Sequence, residues 1–184
     1  MAIFLPVVVA SLRAAPRGVD ALSWCVREAC AIALVYSISE VAYASLTLIY
    51  RAIGLDPPVF HRNPALSRSV REFWGRRWNR IVGAWLDSKL HRPWARKRKL
   101  GIGMALAFFV SALVHVYVTH PALGIGWALV VGAFFLVQGL LALLEGPLGV
   151  ARWPRLYAHA WTVTVMVTTA PMICEAFLRI AEDP

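Results

Sequence analysis

Charge is what this chain has least of: charged residues make up 16% of its 184 positions, with only 10 Asp and Glu, while 59% are hydrophobic. A soluble domain of that length needs a more polar surface, so a soluble protein is excluded and an integral membrane protein is expected. Cysteine is equally scarce. Cys25, Cys30 and Cys174 make an odd number with no C-x-x-C and no histidine at metal-ligand spacing, which argues against a disulfide framework or a zinc site. They are read as buried thiols packing like small apolar side chains. Lysine is nearly missing, 3 against 16 arginines, a composition that hints at a GC-rich bacterial genome. No repeat or low-complexity tract is present. Neither is any G-x-S-x-G, P-loop, H-E-x-x-H or paired-carboxylate signature, which removes the common soluble-enzyme chemistries.

What is present is apolar length. Four stretches, about 29–50, 100–119, 123–144 and 157–180, approach the roughly 20 residues a helix needs to cross about 30 Å of hydrocarbon. The run from Ala2 to Leu12 is shorter and has no convincing cleavage site after it, so residues 1–28 are read as an interfacial or re-entrant segment and 29–184 as the membrane helical domain. Of the 19 Lys and Arg residues, 12 fall between Arg62 and Lys99, opposed there by Glu72 and Asp87 alone. Between two spans such a block marks a cytosolic segment lying near anionic headgroups rather than a nucleic-acid site. By the same rule the loop carrying Arg152 and Arg155 is cytosolic and the uncharged loop 119–125 faces out, with Arg13, Arg17 and Arg27 as dissenters.

From Leu66 to Leu90 the apolar residues recur at three-and-four spacing, through Phe73, Trp74, Trp78, Ile81 and Trp85, with Arg68, Arg71, Arg76 and Arg80 opposite. That pattern predicts one amphipathic helix lying in the interface. Asn79 lies beside the apolar stripe with Gly75 and Gly83 one turn either side. These glycines either clear space around the amide or let the helix pack closely on a neighbour. His115 sits in FFVSALVH, inside a span, where an ionisable group is costly: either a functional residue or a hydrogen-bonded structural one. Ser111, four residues earlier, shares its helical face. Glu40, mid-span beside Ser37 and Ser39, is a partner for His115 or an arginine, or a protonated structural acid. His61 and His91 are read as solvated or phosphate-contacting, His120 as a loop residue, His159 as interfacial and Gln138 as interhelical glue.

The blocks PVFHRNPALSRSVREFWGRRWN and FFVSALVH, over residues 57–120, resemble the wax synthase domain of the membrane-bound O-acyltransferase superfamily. The resemblance implies an all-α membrane protein, a partial core of that superfamily with about four spanning helices plus the in-plane helix. It implies transfer of a fatty acyl group from acyl-CoA to a lipid or long-chain alcohol, with no resident cofactor and acyl-CoA as co-substrate. His115 is then the catalytic base, taking a proton from the attacking hydroxyl, and Asn79 its partner, orienting the ring or donating to the developing oxyanion. Both are expected to face one cavity. Trp74, Gly75, Trp78, Ser111 and Glu40 are expected to line the substrate site. Arg76, Arg77 and Arg80 are expected either on the phosphates of CoA or on lipid headgroups. Val116 stands where the family often has Glu, and the motif follows only about 56 residues. A short member is therefore expected, one that forms a homo-oligomer or has been turned to another hydrophobic substrate. The expected location is the bacterial cytoplasmic membrane or the endoplasmic reticulum. A membrane terpenoid-processing enzyme and a silent scaffold are the competing readings.

Overall fold

The computed structural model describes residues 21–182, all-helical with no strand among them. Helix α1 (Ala21–Ala52) is the first long apolar element. It ends where Gly54, at φ 77°, adopts the left-handed conformation and the Leu55 amide reaches back to the Tyr50 carbonyl, a glycine C-cap ahead of Pro57 and Pro58. The boundary expected at 28/29 falls inside this helix, and the interfacial segment expected before it lies, through residue 20, outside the described residues.

The chain divides into two compact units, one containing α1 and the chain from Ala170 onward, the other Pro58–Thr169. In the first, α1 packs on α7 (Pro171–Glu182) through Ala31, Leu34, Ala170, Cys174 and Leu178. Arg27 pairs with Glu175 at 3.4 Å. Cys174 is buried as expected, whereas Cys25 is exposed.

The second unit is built on α5 (Leu100–Leu144), which folds back on itself at Gly124, where φ 70° and ψ 166° leave helical space. That combination suits glycine alone. The two arms run antiparallel: a Cβ placed on Gly139 would lie 2.7 Å from Phe108 Cβ, and one on Gly132 would collide with Val116. Small residues thus bring the backbones together. The spans expected at 100–119 and 123–144 are these arms. The loop expected between them is helical up to the break and includes Pro121. By length and composition, three helical stretches suffice to cross a membrane: Leu22–Ala52, Leu100–Leu144 and Arg155–Leu178. The last comprises α6 (Arg155–Thr169) and α7, interrupted before Pro171.

The expected continuous helix over Leu66–Leu90 is broken. Helix α2 (Val70–Glu72) runs on as a π-helical turn, Phe73–Arg77. Trp78 is extended at φ −93° and ψ 137°, and Asn79 is left-handed at φ 36°. A new start, α3 (Arg80–Leu86), then continues through a π turn, Asp87–His91, into α4 (Arg92–Arg96). Periodicity could not reveal the break, because three-and-four spacing survives on both sides of it. Its signal is Asn79 itself, since Asn tolerates left-handed backbone better than other side-chain-bearing residues.

Candidate active site

His115 projects from the first arm of α5 and stacks on Phe135 of the second, ring centroids 3.8 Å apart and planes 26° apart. Its Nδ1 lies 2.7 Å from the carbonyl oxygen of Ser111. A carbonyl can only accept, so Nδ1 carries the proton, and in the neutral ring Nε2 is left with its lone pair. Ser111 therefore does fix the ring, through its main chain. General-base chemistry requires a neutral imidazole of fixed tautomer, and this contact sets which nitrogen is free when the ring is neutral.

The motif helix reaches the same hairpin. Its first turn is held by Glu145, at the end of α5 and 4% exposed. One carboxylate oxygen accepts from the Val70 amide and the Trp161 indole, the other from the Arg71 amide at 3.2 Å. Ser69 caps the Glu72 amide at 2.9 Å, while the Arg71 Nε donates to the Ala142 carbonyl at 2.7 Å. His159, expected at an interface, donates from Nδ1 to the Ser67 carbonyl at 3.0 Å. So anchored, the helix carries Trp74 in among the rings of Phe108, Phe134 and Phe135, the last at 5.5 Å. Gln138, fully buried, accepts from the Trp74 indole at 3.0 Å and donates to Thr169 at 2.7 Å. It is glue between elements, as its place in an apolar run suggested.

Asn79 and His115 do not share a hydrogen bond. The Asn79 carboxamide oxygen accepts from the Val82 amide at 3.3 Å, capping α3, and the Asn79 main-chain N–H donates to His61 Nδ1 at 3.2 Å. His61, expected to be solvated, packs on Trp78 at 4.3 Å. Trp78 in turn meets Trp74 at 6.4 Å, and Trp74 meets the Phe135 ring that carries His115. The pair is joined by a ladder of aromatic rings rather than by direct contact. An apolar groove of about 470 Å³ between the arms, bounded by Ile102, Phe109, Leu136 and Leu140, is lined by neither residue.

The other expected site residues divide. Gly83 is a packing residue, since a Cβ there would lie 3.2 Å from the Trp74 carbonyl, while Gly75 faces open space. At Gly83 the missing side chain admits a backbone crossing. Arg77 is committed within the fold: its guanidinium pairs with Glu72 at 2.7 Å and donates to the carbonyls of Arg62 and Asn63. Arg80 reaches the Val59 carbonyl at 3.4 Å. Arg76 is exposed and has no hydrogen bond or ion pair among the described residues. Glu40 accepts from Tyr36 one turn earlier and belongs to the other unit. His91 pairs with Asp87 at 2.9 Å. Sequence reasoning passed over Glu145, Trp161 and Phe135. The one signal for Glu145 was an acid closing a long apolar run with no basic residue beside it.

An apolar helical hairpin, an aromatic motif packed against it and a histidine within one arm define an all-helical integral membrane protein. Residues 57–137 match the membrane bound O-acyl transferase family. It is 32% identical over 167 residues to a long-chain-alcohol O-fatty-acyltransferase of Simmondsia chinensis, covering 80% of this chain and 46% of that one. It is 33% identical over 135 residues to the probable long-chain-alcohol O-fatty-acyltransferase 2 of Arabidopsis thaliana, covering 66% and 39%. The chain thus spans less than half the length of these relatives. No solved structure matches it.

Proposed function

We propose that this chain carries the reaction centre of a membrane O-acyltransferase that moves a fatty acyl group from acyl-CoA to the hydroxyl of a long-chain or lipid alcohol. His115 is the general base. Its Nε2 takes the hydroxyl proton as the alcohol oxygen attacks the thioester carbonyl, and returns a proton to the departing CoA thiolate, so that ester and thiol leave a neutral imidazole behind. The supporting observation is the Nδ1 contact with the Ser111 carbonyl at 2.7 Å, which sets the tautomer this cycle needs. No resident cofactor enters it. Asn79 contributes by shaping the break between α2 and α3 and not by touching the imidazole. Of Arg76, Arg77 and Arg80, Arg76 is the one whose guanidinium has no partner among the described residues, which leaves it for the CoA phosphates. The named relatives favour ester formation over terpenoid processing. A cytosolic supply of acyl-CoA suits the bacterial cytoplasmic membrane or the endoplasmic reticulum.

The test is ester formation by the purified full chain in lipid nanodiscs, with palmitoyl-CoA and hexadecanol as probes. His115→Ala is expected to lower kcat by about 10²–10⁴-fold with the fold retained. Ester formation at the wild-type rate by that variant overturns the assignment of the base.

A further inference from the structure

We propose that Gln138 is a positioning residue for the chemistry at His115, acting through Trp74 and Phe135; the inference rests on the acyl-transfer reading above. An amide held in a hydrocarbon-facing hairpin is expensive unless its groups are bonded. Gln138 is 0% exposed, so its orientation is set by its partners. The Trp74 indole can only donate and must therefore meet Oε1, which leaves Nε2 for Thr169. Thr169 is itself fixed by donating to the Val165 carbonyl at 2.7 Å. The polar side chain thus has a single orientation, and that orientation specifies where the Trp74 ring lies.

The consequence runs to the reactive nitrogen. Phe135 lies one turn before Gln138 on the same arm, so the latched indole rests 5.5 Å from the Phe135 ring. That ring is the surface on which the imidazole stacks at 3.8 Å. His115 has two holds, the Ser111 carbonyl on one nitrogen and the Phe135 face. The hydrogen bond alone leaves the ring free to rock about Nδ1, and the stack removes that freedom and aims Nε2. Releasing Trp74 loosens Phe135, and with it the aim of the base. Gln138 never meets the reacting atoms in this account. A residue serving only as interhelical glue would affect stability and leave His115 unchanged.

The experiment uses the full chain in nanodiscs with two variants. Gln138→Met keeps the volume and removes the indole acceptor, while Trp74→Phe keeps an aromatic ring and removes the donor. Two readouts are taken: kcat and KM for palmitoyl-CoA with hexadecanol, and the rate at which diethyl pyrocarbonate modifies His115, followed by mass spectrometry. Each variant is expected to lower kcat by about tenfold with KM within about twofold, as a misaimed catalytic group does. Each should change the modification rate of His115 by about threefold or more, and the double variant should be no worse than Trp74→Phe alone. Wild-type modification rates in folded variants overturn the proposal, as do fully additive losses of kcat. If the wild-type chain makes no ester while the modification rates still shift, the acyl-transfer reading fails and the coupling to His115 stands. Should Gln138→Met not fold, Trp74→Phe alone decides, because an unchanged His115 in that variant is incompatible with the coupling.

Discussion

Glu145 carries more of the site's architecture than any residue the motif itself contains. Its carboxylate accepts from two amides of the first turn of α2 and from the Trp161 indole, acting as an N-cap supplied from another helix and meeting the positive end of the α2 turn. Removing it orphans one buried donor, the Val70 amide, at a cost of about 1–3 kcal/mol, and two part-buried ones at less. Glu145→Ala is therefore expected to lower the thermal midpoint of the detergent-purified protein by several degrees and to expose the motif to proteolysis at Arg68 and Arg71. Glu145→Gln keeps one accepting oxygen and should fall between Ala and wild type. Equal midpoints for all three proteins would show that the donors find other partners. His115 shows the opposite side of the same scale: a single residue whose oddity in an apolar span was legible, while the ring it rests on was not. Phe135 is one of two adjacent phenylalanines in the second arm, and nothing in spacing distinguishes the one that meets an imidazole.

The segment from Pro58 to Arg96 is held by its charges as much as by its rings. Burial alone would raise the Glu72 carboxyl, but the Arg68 amide and the Arg77 guanidinium outweigh it and hold the group below the usual carboxylate range. Burial likewise opposes His91 and Arg92 at Asp87, and they prevail. A carboxyl whose folded pKa is depressed contributes stability in full above its unfolded pKa and loses it as pH falls through the folded value. Hydrogen-exchange protection of the Arg62 and Trp78 amides, which bond to the Arg77 and Phe73 carbonyls, should accordingly be constant from pH 7 to about 5 and fall below about pH 4. Loss of protection as pH rises instead would contradict this. Glu72→Gln should remove the pH dependence of the Arg62 amide while leaving that of the Asp87 turn. At this scale the amphipathic pattern predicts one rod, whereas the chain is broken at Trp78 and Asn79. Helical periodicity records which residues face apolar surroundings, and a left-handed residue at Asn79 re-aims the chain without disturbing that record.

The hairpin of α5 is the scaffold on which α2, the Asp87–His91 turn and α4 pack, and its existence was legible in outline. Two apolar lengths with an uncharged stretch between them imply two rods and a turn. The turn at Gly124 falls inside the loop expected at 119–125, although Pro121 in the same stretch is accommodated within the helix. The fit of the arms was not legible, since a glycine in an apolar run gives no sign of what its missing side chain admits. Gly139 and Gly126 separate these cases. At Gly139 the Phe108 side chain occupies the space a Cβ would take, so Gly139→Leu must part the arms and shift the surface that holds Phe135 and Gln138 one turn and less away. Overpacking of that kind costs about 1–3 kcal/mol, and because it displaces Phe108, whose ring meets Trp74, the loss in kcat should exceed what the lower stability alone produces at the assay temperature. At Gly126 nothing lies within 4 Å, and Gly126→Ala should leave both thermal midpoint and kcat within error of wild type. Comparing the two variants at one temperature, in the same nanodiscs, tests whether backbone-close packing of the arms sets the geometry at His115. A Gly139→Leu chain with wild-type kcat would mean that the arms can separate without moving the ring on which His115 stacks.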